Sequence, residues 1–348
     1  MTLLFVMAGL ALAASASPAR AAVTLRGMLG EDGPRSGWLE RYTEARQGPE
    51  QVEKVTQTQK VGAGAILDLS HIAGDIRVTG GSGSDIRIEA TKRVRHRDPN
   101  EAKRLLEALR VEVNNFNGRV EVRTIYPRRT TTRGNGISAS VDYVIGVPAG
   151  ATVALKSISG DIHVTNVKGE VRAETVSGDV NIGGTPNVTI AKTVSGDVFA
   201  RDIGTHTTLV LSTVSGSVVG TGLRVRTLEA GSVSGNVRLA GSQIERLEAR
   251  SVSGNIEFDA PLVKGGRYEF TSHSGNVRVV LSGNTGFELD ADTFSGSVRS
   301  DVPVTLRTIG TTERDRRRSN RAIRGTYGDA SAILSVRSHS GSVVITKK

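Results

Sequence analysis

One short phrase recurs ten times in this 348-residue chain, and from Gly160 to Gly296 its glycine returns every 18 to 21 residues. The copies read Ser157-Ile158-Ser159-Gly160-Asp161-Ile162, then Thr175-Val176-Ser177-Gly178-Asp179-Val180, with the same frame around Gly196, Gly216, Gly235, Gly254, Gly275, Gly296 and Gly341. A looser first copy is Ile72-Ala73-Gly74-Asp75-Ile76. A period near 20 residues belongs to units that cannot bury their own apolar face and must stack on their neighbours. The spacing therefore predicts an all-β fold: a single-stranded β-solenoid, or β-helix, wound right-handed with coils of about 18–21 residues.

Each position of the phrase has a physical role. Two residues after the glycine stands Val or Ile in every regular copy (Ile162, Val180, Val198, Val218, Val237, Ile256, Val277, Val298, Val343), a β-branched column suited to a pleated interior. Period-2 alternation places Val176, Gly178, Val180 and Ile182 on a dry face and Ser177, Asp179 and Asn181 on a wet one. Glycine supplies a corner backbone that a Cβ would forbid. The residue after it changes from Asp161, Asp179 and Asp197 to Ser217, Asn236, Asn255, Asn276, Ser297 and Ser342. Stacked carboxylates repel one another, whereas Asn and Ser can form hydrogen-bonded ladders. A calcium column on the three aspartates is the functional alternative, although the glycine-aspartate nonapeptide of calcium-binding β-rolls is absent.

One helix is expected, from Pro99 to about Arg110, with Asp98 as N-cap and Glu101 completing a capping box. Its stripe of Ala102, Leu105, Leu106 and Leu109 would cover an open end of the solenoid, since an uncovered end invites edge-to-edge pairing. Residues 1–21 read as a signal peptide, an apolar run from Leu3 to Ala14 cut after Ala21 or Ala16. Residues 22–59 read as a loosely ordered lead-in, and residues 60–348 as the solenoid, interrupted by a helix-containing excursion at 91–139 and an Arg-rich insertion at 311–325. No later apolar run is long enough to span a membrane. An exported protein of the periplasm or cell surface is expected.

The chain has no cysteine, which excludes disulfides, thiol catalysis and thiolate metal sites. Its formal net charge is +10, and the surplus lies in the excursions. Residues 92–133 carry 12 basic against 5 acidic side chains, and residues 313–324 carry six arginines against Glu313 and Asp315. Arg314, Arg316, Arg317, Arg318, Arg321 and Arg324 are the candidate contacts to an anionic envelope polymer or an envelope protein; the alternative is a solvated loop. Export and the lack of stacking aromatics among the arginines argue against nucleic acid.

No nucleophile elbow, phosphate loop, dinucleotide fingerprint or His-Glu-x-x-His helix is present, so no cofactor, metal or catalytic residue is expected. His273 and His339 share one column, and the Phe294 copy is expected between them, which keeps the imidazoles from sharing a metal. A glycan-active enzyme would use Asp161, Asp179 and Asp197 with Glu170, Glu174 and Arg172, but these coils offer few aromatic platforms beyond Phe199 and Phe258.

The repeated [Ser/Thr]-[Val/Ile]-Ser-Gly-[Asp/Asn]-[Val/Ile] phrase, preceded by Asp142-Tyr143-Val144-Ile145-Gly146-Val147-Pro148, resembles the bacterial putative-adhesin family of β-strand-repeat proteins over roughly residues 60–348. The resemblance implies an exported or membrane-anchored β-solenoid, in some members tied to envelope-stress systems, and it brings no catalytic residues. The function expected is a non-catalytic adhesin-like or scaffold surface. Its rivals are an envelope-stress accessory protein with a periplasmic partner and the polysaccharide-active enzyme.

Overall fold

The computed structural model describes residues 49–62, 64–127, 138–306 and 322–348. The signal peptide and most of the lead-in lie outside them. The regular coils pair a strand before the glycine corner with a shorter one after it: β8 (Thr152–Ser159) with β9 (Ile162–Thr165), β10 (Val171–Ser177) with β11 (Val180–Gly183), β12 (Val188–Lys192) with β13 (Val198–Arg201), β14 (Gly204–Ser215) with β15 (Val218–Thr221), β16 (Arg224–Ser234) with β17 (Val237–Ala240), β18 (Gln243–Ser253) with β19 (Ile256–Pro261), and β20 (Arg267–Ser274) with β21 (Val277–Ser282). First members stack in parallel into one sheet and second members into another. Between the sheets runs the column from Ile162 to Val343, 0 % exposed at every rung except the outermost, Val298.

The alternation read from the phrase is corrected on one side of the corner. Val180 and Ile182 point inward as expected, but Val176 is 48 % exposed, and the inward place before the corner is taken by Thr175. Gly178, at φ +129°, turns the chain between the two sheets, so the strands on either side do not share one parity. A buried hydroxyl is tolerated there because it has a partner. Thr193, Thr213 and Ser232 each donate to the glycine carbonyl of the preceding coil, Gly178, Gly196 and Gly216, at 2.8–2.9 Å, which satisfies an acceptor that no strand ladder reaches.

Both ends of the stack depart from sequence order. β2 (Ile66–Ser70) and β3 (Ile76–Gly81) form the first coil of the chain but lie second in the stack. Outside them pack β6 (Arg119–Ile125) and β7 (Ser138–Pro148), parallel to β2 and β3. β1 (Glu50–Lys60), β4 (Asp85–Arg95) and β5 (Arg110–Phe116) add antiparallel edges to this end. The lead-in therefore gives way to ordered strand at Glu50, ten residues before its expected limit, because β4 offers β1 eleven paired positions. Much of the excursion at 91–139 is likewise cap strand as well as helix.

The helix α1 (Pro99–Ala108) joins β4 to β5 and buries Ala102, Leu105 and Leu106 against β1 and β4, the covering role its stripe predicts. The Asp98 carboxylate accepts from Asn100 N–H at 2.9 Å, as an N-cap should. The expected capping box is replaced, since Asp98 N–H donates to His96 Nδ1 (3.1 Å) and Glu101 faces Arg104 (3.8 Å).

At the other end, β26 (Ala332–Ser340) and β27 (Val343–Lys347) slide between the β20–β21 coil and the coil of β22 (Phe287–Ser295) and β23 (Val298–Ser300). The final residues of the chain are thus an interior coil. β25 (Ala322–Tyr327), antiparallel to β22, and β24 (Thr305–Leu306), antiparallel to β25, extend only the sheet of long strands.

Candidate functional site

The outward flip at Val176 repeats in every copy and builds one surface feature. Ile72, Ile158, Val176, Val194, Val214, Val233 and Val252 are all between 43 and 51 % exposed, and strand register places them in a single file. His273, His339 and Phe294 complete the file. With coils about 4.8 Å apart, this is a ridge ten rungs long, aliphatic for seven and completed by two imidazoles and a phenyl ring. Contiguous exposed apolar surface of this kind marks contact sites, whereas isolated exposed valines do not. Sequence reasoning missed it by assigning these residues to the interior. The signal that could have found it was the hydroxyl one place earlier in the nine regular copies, a recurrence that a freely solvated position would not require.

The ring order is a second correction. His339 stacks directly on His273, with centroids 4.8 Å apart and planes 4° from parallel, and Phe294 lies outside on His339 at 4.9 Å and 2°. Insertion of the last coil brings the two imidazoles together and displaces the phenyl ring to the end. Beside them a groove of about 390 Å³ runs between Arg250, Thr271 and Arg337 on one bank and Val252, His273 and His339 on the other.

On the other flank of the ridge, the aspartates occupy one column as expected, and each has a backbone task. Oδ1 of Asp75, Asp161, Asp179 and Asp197 accepts the N–H of the residue one coil on, at 2.7–3.1 Å. Asn236, Asn255 and Asn276 do the same through their amide oxygens at 2.9–3.0 Å. The ladder is therefore side chain to backbone, and Asp and Asn are equivalent acceptors in it. Among the described residues no group of three or more His, Asp or Glu side chains is placed to hold a metal.

Of the six arginines proposed as anionic contacts, Arg314, Arg316, Arg317, Arg318 and Arg321 lie outside the described residues. Arg324 sits on β25 and donates from Nε to Asp290 Oδ1 at 2.8 Å. Among the described residues no helix is long and apolar enough to cross a membrane.

A buried polar cluster closes the column of inward hydroxyls at the N-terminal end. His71 is 5 % exposed, with Nδ1 3.2 Å from Thr124 Oγ1, which in turn lies 2.7 Å from Tyr143 Oη. The imidazole meets the Tyr143 ring edge-on at 5.2 Å, and its Nε2 has no partner among the described residues. Burial pushes the His71 pKa down to about 4 and those of Tyr126 and Tyr143 up to about 12. Folded protein thus holds His71 neutral, and stability from this group is complete above pH 6.5 and lost as pH falls toward 4. The loss is about 3 kcal/mol. Urea titrations between pH 7.5 and 4 should show that slope in the wild type and a shallower one in His71→Gln; parallel slopes would count against it.

With this geometry in hand, comparison with known proteins places the fold. A sequence model of the Toastrack DUF4097 family matches residues 57–261 and, in a second overlapping match, 185–346. The chain belongs to this family. The solved structures that this chain is similar to are distant in sequence. A putative adhesin from Bacteroides fragilis is 14% identical, with 84% of this chain and 97% of that one covered and a TM-score of 0.39. A putative cell adhesion protein from Clostridium sporogenes is 10% identical over 86% and 100%, TM-score 0.20. A putative lipid binding protein from Parabacteroides distasonis is 12% identical over 85% and 97%, TM-score 0.36. No curated protein matches.

Proposed function

We propose that this Toastrack chain is a non-catalytic binding scaffold of the cell envelope, exported by its N-terminal segment, whose contact surface is the apolar ridge. The winding is taken as right-handed and single-stranded, the hand that parallel crossovers adopt. The observation that carries the reading is the ridge itself: seven aliphatic side chains in register, each about half exposed. Covering such a rung returns about 1 kcal/mol, so a partner lying along several of them gains affinity without any one strong contact. Solvated single-sign charge would serve solubility, but a seven-rung aliphatic file serves nothing in an isolated chain. An adhesin-like or scaffold role needs a long repetitive surface of this type.

The test is retention of envelope fractions on immobilised protein, compared with Val176→Ser/Val214→Ser/Val252→Ser and with a variant lacking the six arginines. Removing three rungs should weaken binding by about 3 kcal/mol, on the order of a hundredfold, with wild-type binding persisting in high salt. Binding that survives the triple substitution but is lost with salt and with the arginines would assign contact to the basic insertion instead.

A further inference from the structure

Three of the four sheet ends carry added antiparallel strands: β1 and β4 on β7, β5 on β6, and β24 and β25 on β22. Among the described residues the fourth carries none. There the short-strand sheet stops at β23, whose one described neighbour is β27, two strands before its companion sheet ends. The missing strands leave a step of about 10 Å.

The open rung displays what every interior rung uses for stacking. In the coil beneath, Gly341 N–H donates to Ser295 O and Val343 N–H to Ser297 O, both at 2.9 Å. Gly296 N–H and Val298 N–H, the same donors one coil further out, have no acceptor among the described residues. Phe294 is 70 % exposed, stacked on His339 by one face only. Arg299 makes no ion pair among the described residues, whereas in the same outward column Arg238 Nε meets Glu257 Oε2 of the adjoining coil at 3.1 Å. Amides and a cation without partners among the described residues, in one line with a ring stacked on one face, have the form of a half-site for strand addition.

We propose that Phe294–Ser300 takes up an extended segment of a partner protein as a parallel strand, with an apolar side chain over Phe294, a β-branched one over Val298 and a carboxylate over Arg299. The far end of a second copy does not offer a parallel strand that would continue this stack, because β4 and β1 lie antiparallel on β7 there. The site adjoins the ridge, sharing its terminal rung Phe294, and would add a directional, sequence-selective attachment to it.

An interior rung supplies the probe. The labelled peptide Ser-Val-Ser-Gly-Asn-Ile-Glu-Phe, copied from residues 251–258, places Val252 over Phe294, Ile256 over Val298 and Glu257 over Arg299. Fluorescence anisotropy with the full chain should show saturable binding, weakened about fivefold by Arg299→Glu and restored to that variant by a peptide carrying Lys in place of the glutamate. Arg299 is exposed, so the variant should melt with the wild type. Absence of saturable binding, indifference to the charge reversal, or a dimer in sedimentation that the peptide fails to dissociate would each overturn the proposal.

Discussion

Gly216→Ala is expected to destabilise the solenoid by about 3–5 kcal/mol. Gly216 has φ +142°, and a Cβ built there would stand 2.0 Å from the carbonyl oxygen of Gly196 and 2.6 Å from its carbon. That oxygen cannot simply withdraw, because it is already held by Thr213 Oγ1 at 2.9 Å. Moving the whole corner outward would open the next one, where Gly235 approaches Gly216 O in the same way. Gly241 is the control: its φ is +57°, but a Cβ there meets nothing within 4 Å, so Gly241→Ala should cost only about 1 kcal/mol of backbone strain. Urea melts of the two variants decide the matter. Equal losses would mean that the corner column is looser than its stacking implies.

The same contact explains why so much of this fold was legible in the sequence. A glycine that must lie on the glycine below it cannot drift, and the periodic Ser-Gly with Val two places later declares both the corner and the interior column. What could not be read followed from two physical facts. Parity does not carry through a corner, so Val176 and its equivalents, inward by simple alternation from Val180, turn outward and form the ridge. Stack order, moreover, is not sequence order: nothing in the phrase around Gly341 distinguishes a last coil that continues the rod from one that slips beneath its predecessor. The asymmetry is visible only in tertiary pairing, where β26 bonds to both β20 and β22. The contact surface was correspondingly less legible than the scaffold, because exposure of an apolar residue depends on which side of the corner it stands.

That inverted order makes a prediction with opposite sign to the one the sequence suggests. In a solenoid assembled in chain order, Val343 would belong to the frayed last coil and Val298 to a coil covered on both sides, so a buried charge would be worse at Val298. In this stack Val343 is 0 % exposed between Val277 and Val298, and Val298 is the outermost rung at 7 %. Val343→Asp places a carboxylate where neither neighbouring coil offers a partner and disrupts two interfaces, at a cost of about 4 kcal/mol or more. Val298→Asp disturbs one interface and lies beside the open edge, where water can reach the charge, so about 2 kcal/mol is expected. The β22–β25 unit rests on the inserted coil, so Val343→Asp should also expose its amides to hydrogen exchange, while Val298→Asp should leave β20 and β21 protected. Stability is approximately a sum over coils and their shared faces, and the comparison therefore reads the order of stacking directly: if Val298→Asp proves the more damaging, the last coil does not lie where the pairing puts it.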